Sequence, residues 1–308
     1  MLQQTRVETV IPYYHAFMEK LPTIEALAAI EDQKLLKLWQ GLGYYNRAAN
    51  MKKAALIIVE EYNGRLPEKA ELLMKLPGIG IYTAGAIASI AFGEKVPAAD
   101  GNVFRVVARI TGEEGNILKS NIQKKLRHQI ANLLPDEKTG DFNQGLIELG
   151  ALICIGNGMP RCGECPVRDD CMAYEKNLQK VLPNRSKNKS RKIEYKSVVL
   201  LTSKKKIALV QRQNDVLLAN LWEYPVIENF CEENELAEAL QKQGINVTGI
   251  RELTKEKAVF SHKEWHMKVY YAETETMDEV FTWKSKEEIS KYYPVASAYA
   301  GCWKYLPE

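Results

Sequence analysis

Through about residue 180 the apolar positions recur at intervals of three and four. Val7, Val10, Ile11 and Phe17 open the pattern, and "IEDQKLLKLWQGLG", "NMKKAALIIVEEY" and "SNIQKKLRHQIANLL" continue it between Gly and Pro breaks. This spacing predicts a series of amphipathic helices. No capping residue, proline or acidic first turn precedes Val7, so the pattern predicts a first helix already under way at Met1. Past residue 196 the texture changes. "YKSVVLLTS", "KIALVQRQ", "KAVFSHKEWHMKVYYAET" and "EVFTWKS" are β-branched and aromatic with partial alternation, and "ENELAEALQKQG" supplies one helix. The expected architecture is multi-domain: an all-helical domain over residues 1–180 and an α+β domain over residues 197–308.

Between them lies "KVLPNRSKNKSRKIEYK", where seven Lys or Arg face one Glu amid Pro, Asn and Ser. It predicts a solvated basic linker over residues 181–196. The net charge of +3 over 308 residues is too small to demand a polyanionic partner. No apolar run approaches the roughly 18 residues of a membrane span, and the N-terminus lacks the pattern of a signal peptide. The expected compartment is therefore the cytoplasm, with no membrane partner. Four of the six cysteines crowd into residues 154–171, which is ligand spacing rather than a disulfide framework. Cys231 and Cys302 are expected to be free thiols.

Three stretches carry candidate chemistry. In "CIGNGMPRCGECPVRDDC", Cys154, Cys162, Cys165 and Cys171 supply four thiolates from one loop, suited to zinc or to a [4Fe–4S] cluster. Zinc sites usually pair two close C-x-x-C units; here one ligand stands alone at the end of "GLIELGALIC", which favours the cluster. In "LMKLPGIGIYTAGAIASIAFG", an apolar helix ending at Leu76 is followed by a tight turn and an Ala-rich helix. Gly78 and Gly80 let backbone amides approach a ligand, and a helix N-terminus favours an anion such as a DNA phosphate. A plain helix–helix turn accounts for this stretch equally well in isolation. In "VPAADGNVFRVVARI", Asp100 stands where a helix N-cap would, about 20 residues past the turn.

Together these stretches, with "GLGYYNRAANM" and "FNQGLIELGALIC", closely resemble the helix-hairpin-helix DNA glycosylases of the endonuclease III superfamily. Within it they resemble the adenine DNA glycosylases of the MutY family. "LLANLWEYP" and "VFSHKEWHMKVYY" resemble that family's C-terminal domain, a relative of the Nudix fold that recognises 8-oxoguanine. The likeness spans nearly the whole chain. It implies a monomeric, monofunctional glycosylase of base excision repair, bacterial in type and nucleoid-associated during repair. Its substrate would be double-stranded DNA with adenine mispaired with 8-oxoguanine or guanine, and its cofactor a [4Fe–4S] cluster on the four cysteines, with Arg161 facing phosphate.

Residue by residue, the resemblance makes Asp100 the carboxylate that stabilises the oxocarbenium-like sugar, with Asn102 beside it. Tyr82 stands where bifunctional relatives carry a Schiff-base lysine, so lyase chemistry is not expected. Gln4, Leu42 and Tyr44 match residues that wedge into the duplex; Gly78 and Gly80 grip phosphate. Glu148 matches a carboxylate near the adenine pocket, and Phe260, Ser261 and His262 match the lesion-reading loop.

Three departures accompany this. The first cysteine gap is seven residues where the family usually has six, and the Nudix signature is absent after Pro225, so nucleotide pyrophosphatase activity is not expected. In the family, "MLQQT" follows a W-x-S-E-x segment whose Glu protonates the adenine. That Glu would lie upstream of Met1, so the chain as written is expected to bind a lesion without excising adenine, and a chain extended by W-x-S-E to excise it. The competing readings are thus a lesion-binding protein without turnover, an endonuclease III-like lyase disfavoured by Tyr82, and an electron carrier, which would need neither hairpin nor recognition domain.

Overall fold

The computed structural model describes residues 1–3, 5–186, 190–214 and 216–307. The chain divides into two compact units, one of residues 1–52 with 189–308 and the other of residues 53–188. In chain order the helices of the first half are α1 (Val7–Lys20), α2 (Ile24–Ala29), α3 (Asp32–Trp39), α4 (Asn46–Glu61), α5 (Ala70–Leu73), α6 (Ile81–Phe92), α7 (Gly101–Thr111), α8 (Ser120–Leu133), α9 (Thr139–Glu148) and the short α10 (Met172–Glu175).

The second half forms β1 (Lys192–Ser203), β2 (Lys206–Gln211), β3 (Trp222–Glu223), β4 (Val226–Glu228), α11 (Glu233–Lys242), β5 (Gly249–Val259), β6 (Lys263–Glu273), β7 (Thr282–Lys284) and α12 (Lys286–Tyr292). Among the described residues the seven strands make one sheet, ordered β3-β2-β1-β6-β5, with β4 on β1 and β7 on β2. β1 and β6 run parallel from Lys192↔Lys263 to Thr202↔Glu273. β1 thus begins inside the stretch expected to be linker. Lys192 N–H donates to His262 O at 3.1 Å, which draws the end of the basic stretch into the sheet.

Alternate residues of β1 feed two cores, as the strand pleat requires. Val198 and Leu200 join Trp265, Met267 and Val269 on one face, together with Phe17, Leu36 and Trp39 of α1 and α3. Val199 and Leu201 join Tyr270, Ala272 and, from α11, Leu236 and Leu240 on the other. Two side chains pin α3 to this unit: Gln33 Oε1 accepts from Trp222 Nε1 at 2.9 Å, and Lys37 Nζ donates to the carbonyls of Ile289 and Tyr293. The first helical stretch therefore folds in one unit with the sheet, a partnership its own amphipathic pattern does not encode.

The expectation of a helix already formed at Met1 is corrected. α1 starts at Val7, with Arg6 at its N-cap and no side-chain cap. The guanidinium of Arg47 donates to the carbonyl oxygens of Met1 and Gln3 and, at 3.0 Å, to the hydroxyl of Thr5.

The other unit is built on a core of Val103, Phe104, Val107, Leu126 and Ile130, so α7 and α8 bury their facing stripes against each other. No helix among the described residues is long and apolar enough to cross a membrane.

Candidate DNA-processing site

The hairpin forms as its sequence dictates, though its first helix proper is only Ala70–Leu73, followed by turns that close at Leu76. Ile79 N–H donates to Leu76 O at 3.2 Å, and Gly78 sits at φ +79°, a conformation that a side chain disfavours. Gly80 is the N-cap of α6 and makes no side-chain cap; a helix N-terminus suits an anion. Glu94, just past α6, accepts from Ala70 N–H at 2.7 Å and ties the two arms of the hairpin together.

The segment between α6 and α7 is fixed from α9. Asn143 is fully buried; its Oδ1 accepts from Ala98 N–H at 3.0 Å, while its Nδ2 donates to Ser89 Oγ and Val96 O. This delivers Asp100 to the N-cap of α7. There Asp100 Oδ1 accepts from the backbone amides of Asn102 and Val103, each at 2.8 Å, and Oδ2 accepts from Asn102 Nδ2 at 2.9 Å. One oxygen of the carboxylate thus caps α7, and the other is held by the Asn102 side chain. Tyr82, on the first turn of α6, lies close enough for the Asp100 charge to add to burial in raising its phenol pKa.

A polar chain continues from Asp100 to the cysteines. Asn102 Oδ1 accepts from Arg105 Nη1 at 3.0 Å, and Arg105 also donates to Cys154 O at 2.8 Å and Gly150 O at 2.7 Å. One helical turn on, Arg109 donates to Leu182 O at 2.9 Å, Ile155 O at 2.9 Å and Cys154 Sγ at 3.2 Å. Both arginines are 5% exposed. The chain between α9 and Cys154 is a π-helical turn, Leu149–Ile153, whose Gly150 passes so near α7 that a Cβ would come within 3.0 Å of Asn102 Cβ.

Cys154, Cys162, Cys165 and Cys171 line one cavity with Arg109, Pro160 and Arg168. Among the described residues no three His, Cys, Asp or Glu side chains converge to hold a single metal ion, and all six cysteines are free thiols. Burial and then the neighbouring thiols push up the pKa of Cys162. Four thiols lining one cavity are a donor set that fits a sulfur-ligated metal group.

In the other unit, Tyr44 is half exposed at φ +49°, with Arg47 over its ring and its Oη 3.4 Å from Ser261 Oγ. Phe260 packs edge-on against Trp265, centroids 4.8 Å apart, and Ser261 and His262 are exposed at the turn between β5 and β6. Leu42 is buried in the core, and Arg47 donates to its carbonyl. Glu148 is exposed at the end of α9. Gln4 lies outside the described residues. Arg47, Arg105, Arg109 and Asn143 belong to these arrangements and were not singled out by sequence. Only the quoted runs "GLGYYNRAANM" and "FNQGLIELGALIC" pointed near Arg47 and Asn143.

A capped carboxylate beyond a helix-hairpin-helix, joined to a four-cysteine loop, defines a base excision repair glycosylase. The profile described as "HhH-GPD superfamily base excision DNA repair protein" matches residues 1–132, and a NUDIX domain profile matches residues 197–305. The chain belongs to the adenine DNA glycosylase family. It is 38% identical to the adenine DNA glycosylase of Buchnera aphidicola subsp. Baizongia pistaciae over 272 residues, covering 88% of this chain and 74% of that one. It is 32% identical to the Homo sapiens adenine DNA glycosylase, covering 94% of this chain and 63% of the human protein. Among solved structures, a non-covalent endonuclease III–DNA complex superposes with a TM-score of 0.51 at 27% identity, over 58% of this chain and 82% of that chain. A thermostable thymine-DNA glycosylase does so with 0.52 at 32%, over 57% and 80%.

Proposed function

We propose that the chain recognises adenine paired with 8-oxoguanine or guanine in double-stranded DNA and that its chemistry is hydrolysis of the adenine N-glycosidic bond. The observation that carries this reading is the Asp100 carboxylate, held by Asn102 from one side and by the α7 amides from the other. A carboxylate fixed in this way is preorganised to stabilise positive charge on the sugar as the bond to an extruded adenine breaks. Tyr82 beside it offers no amine, so the reaction stops at hydrolysis. The hairpin at Gly78 and Gly80 grips phosphate, Gln4 and Tyr44 wedge into the duplex with Leu42 beneath, and Glu148 borders the adenine pocket. Phe260, Ser261 and His262 read the opposite base.

In this reading residues 1–180 carry the glycosylase function, residues 181–196 connect, and residues 197–308 supply lesion recognition. Cys154, Cys162, Cys165 and Cys171 would hold a [4Fe–4S] cluster, which supplies a rigid centre for the loop rather than a step in hydrolysis. Arg105 and Arg109 fix the backbone on which the first of these ligands stands.

Single-turnover adenine release from an adenine:8-oxoguanine duplex tests the assignment, using the 308-residue chain and the same chain preceded by a W-x-S-E segment. Release by the extended chain that is lost in Asp100→Asn supports it. A folded, duplex-bound extended chain that releases no adenine overturns it. Release at equal rates from both forms would show that the upstream Glu is dispensable.

A further inference from the structure

The turn between β5 and β6 is held by a side chain that lies outside it. Phe260 N–H donates to Lys263 O at 2.9 Å and closes the turn, leaving Ser261 and His262 exposed at its tip. β1 runs alongside: Lys192 N–H donates to His262 O, and Glu194 stands in register with Trp265. The Glu194 carboxylate accepts from Lys263 Nζ at 2.9 and 3.2 Å and from Trp265 Nε1 at 2.9 Å. Taking Phe260, Ser261 and His262 as the readers of the base opposite adenine, as in the function proposed above, we propose that Glu194 is a positioning residue for that discrimination. By clasping Lys263 and Trp265 it fixes the tip, and so sets the preference for 8-oxoguanine over guanine without touching the base.

The two holds act on opposite arms of the hairpin. Lys263 directly follows the tip, so its tether fixes where β6 begins. Trp265 acts through its ring, which is 2% exposed and packs edge-on against Phe260, the residue that precedes the tip. That ring is closed in on its other contacts. The Tyr299 ring lies 6.2 Å away, and Arg212, over the Trp265 ring at 5.2 Å, is itself bound to Glu223, which also accepts from Tyr299 Oη at 2.5 Å. The one polar atom of the indole is committed to Glu194. Both arms are thus referred to a single carboxylate.

Placement matters because the two bases are nearly the same shape. 8-Oxoguanine differs from guanine by an oxygen at C8 and a proton at N7, so a reader tells them apart only when its donors and acceptors stand in hydrogen-bond geometry. A tip displaced by about an ångström loses that advantage. Glu194 is suited to the hold. Hydrogen bonding by Lys263 draws its pKa down to about 2, so it is an ionised acceptor throughout the neutral range. Glutamine in its place would turn an amide N–H towards Lys263 or Trp265, both of which only donate, and one arm would be released.

Competition binding of the full chain to adenine:8-oxoguanine and adenine:guanine duplexes provides the test, read as the ratio of the two affinities. Glu194→Gln is expected to narrow that ratio about fivefold, the effect of losing one hydrogen bond's worth of placement, while changing adenine:guanine affinity little. A general loosening of the fold would instead weaken both duplexes alike. Trp265→Phe keeps an aromatic ring against Phe260 but no N–H, and Lys263→Gln alters a side chain that is 22% exposed. Each releases one arm and should narrow the ratio, and these two variants carry the test if Glu194→Gln does not fold. Glu194→Gln/Trp265→Phe should narrow it no further than Glu194→Gln alone, because both substitutions break the same contact. A ratio narrowed in Ser261→Ala/His262→Ala but unchanged in the folded clasp variants overturns the proposal and leaves the turn as the reader. A ratio unchanged in Ser261→Ala/His262→Ala overturns the turn as the reader, and the proposal with it.

Discussion

Asn102 grips Asp100 twice, through its backbone amide to Oδ1 at 2.8 Å and through its side-chain amide to Oδ2 at 2.9 Å. Substitution can therefore separate capping from chemistry. Asp100→Asn retains a capping oxygen and should change the melting temperature little, yet reduce single-turnover excision by the acid-bearing chain by a factor of about 10² or more. Asp100→Ala should lose the chemistry and also about 1 kcal/mol of stability. Equal melting of the two variants would show that the cap contributes nothing.

Arg109 donates to carbonyls from three residues and to one thiol while 5% exposed. Arg109→Met should leave those carbonyls unpaired and destabilise the helical unit by about 2–4 kcal/mol, measured by urea denaturation. A loss below about 0.5 kcal/mol would mean that water replaces the guanidinium without cost.

If Cys154, Cys162, Cys165 and Cys171 carry the cluster, purified protein should contain iron and acid-labile sulfide in about equal amounts, near four of each per chain, and no zinc. Cys165→Ser should lower both together. Stoichiometric zinc without iron would reverse the assignment.

Ser261 and His262 stand exposed at the turn that Tyr44 reaches through its hydroxyl. Replacing both by Ala should narrow the preference for 8-oxoguanine over guanine opposite adenine by about 1–3 kcal/mol per lost polar contact. Competition binding to the two duplexes measures it, and an unchanged ratio would remove these residues from lesion reading.

Hydrogen bonding by Lys263, supported by Trp265 and Lys192, pulls Glu194 down to about 2 from the usual 4.5. Because the folded pKa is depressed, the stabilisation is complete above pH 4.5 and disappears as pH falls towards 2. Glu194→Gln should be less stable than the parent at pH 7, and the two stability curves should converge across that acid window. Parallel curves would place the pH dependence elsewhere.

What the sequence made legible was local. Pro77-Gly78, the Asp100 cap and the gathering of four cysteines at one cavity are all encoded within a few residues, because a turn and a cap demand particular residue types at fixed offsets and a short loop keeps its own residues close. The long-range fasteners were not legible. Arg105 and Arg109 donate mostly to backbone carbonyls 45 to 73 residues away, and any residue type can supply a carbonyl. Asn143 reaches Ala98 across 45 residues in the same way. The pairing of α1 and α3 with the sheet was hidden for a related reason: an amphipathic stripe states that a face will be buried, not what will cover it.

α7 is a strut fastened at both ends. Its first residues clasp the carboxylate, and its Arg105 and Arg109 are anchored in the backbone around Cys154. Loosening the backbone around Cys154 would free Arg105, and with it the support for the Asn102 side chain that holds Asp100. A disturbance beside the cysteines would therefore be felt at the opposite end of α7, where the carboxylate sits.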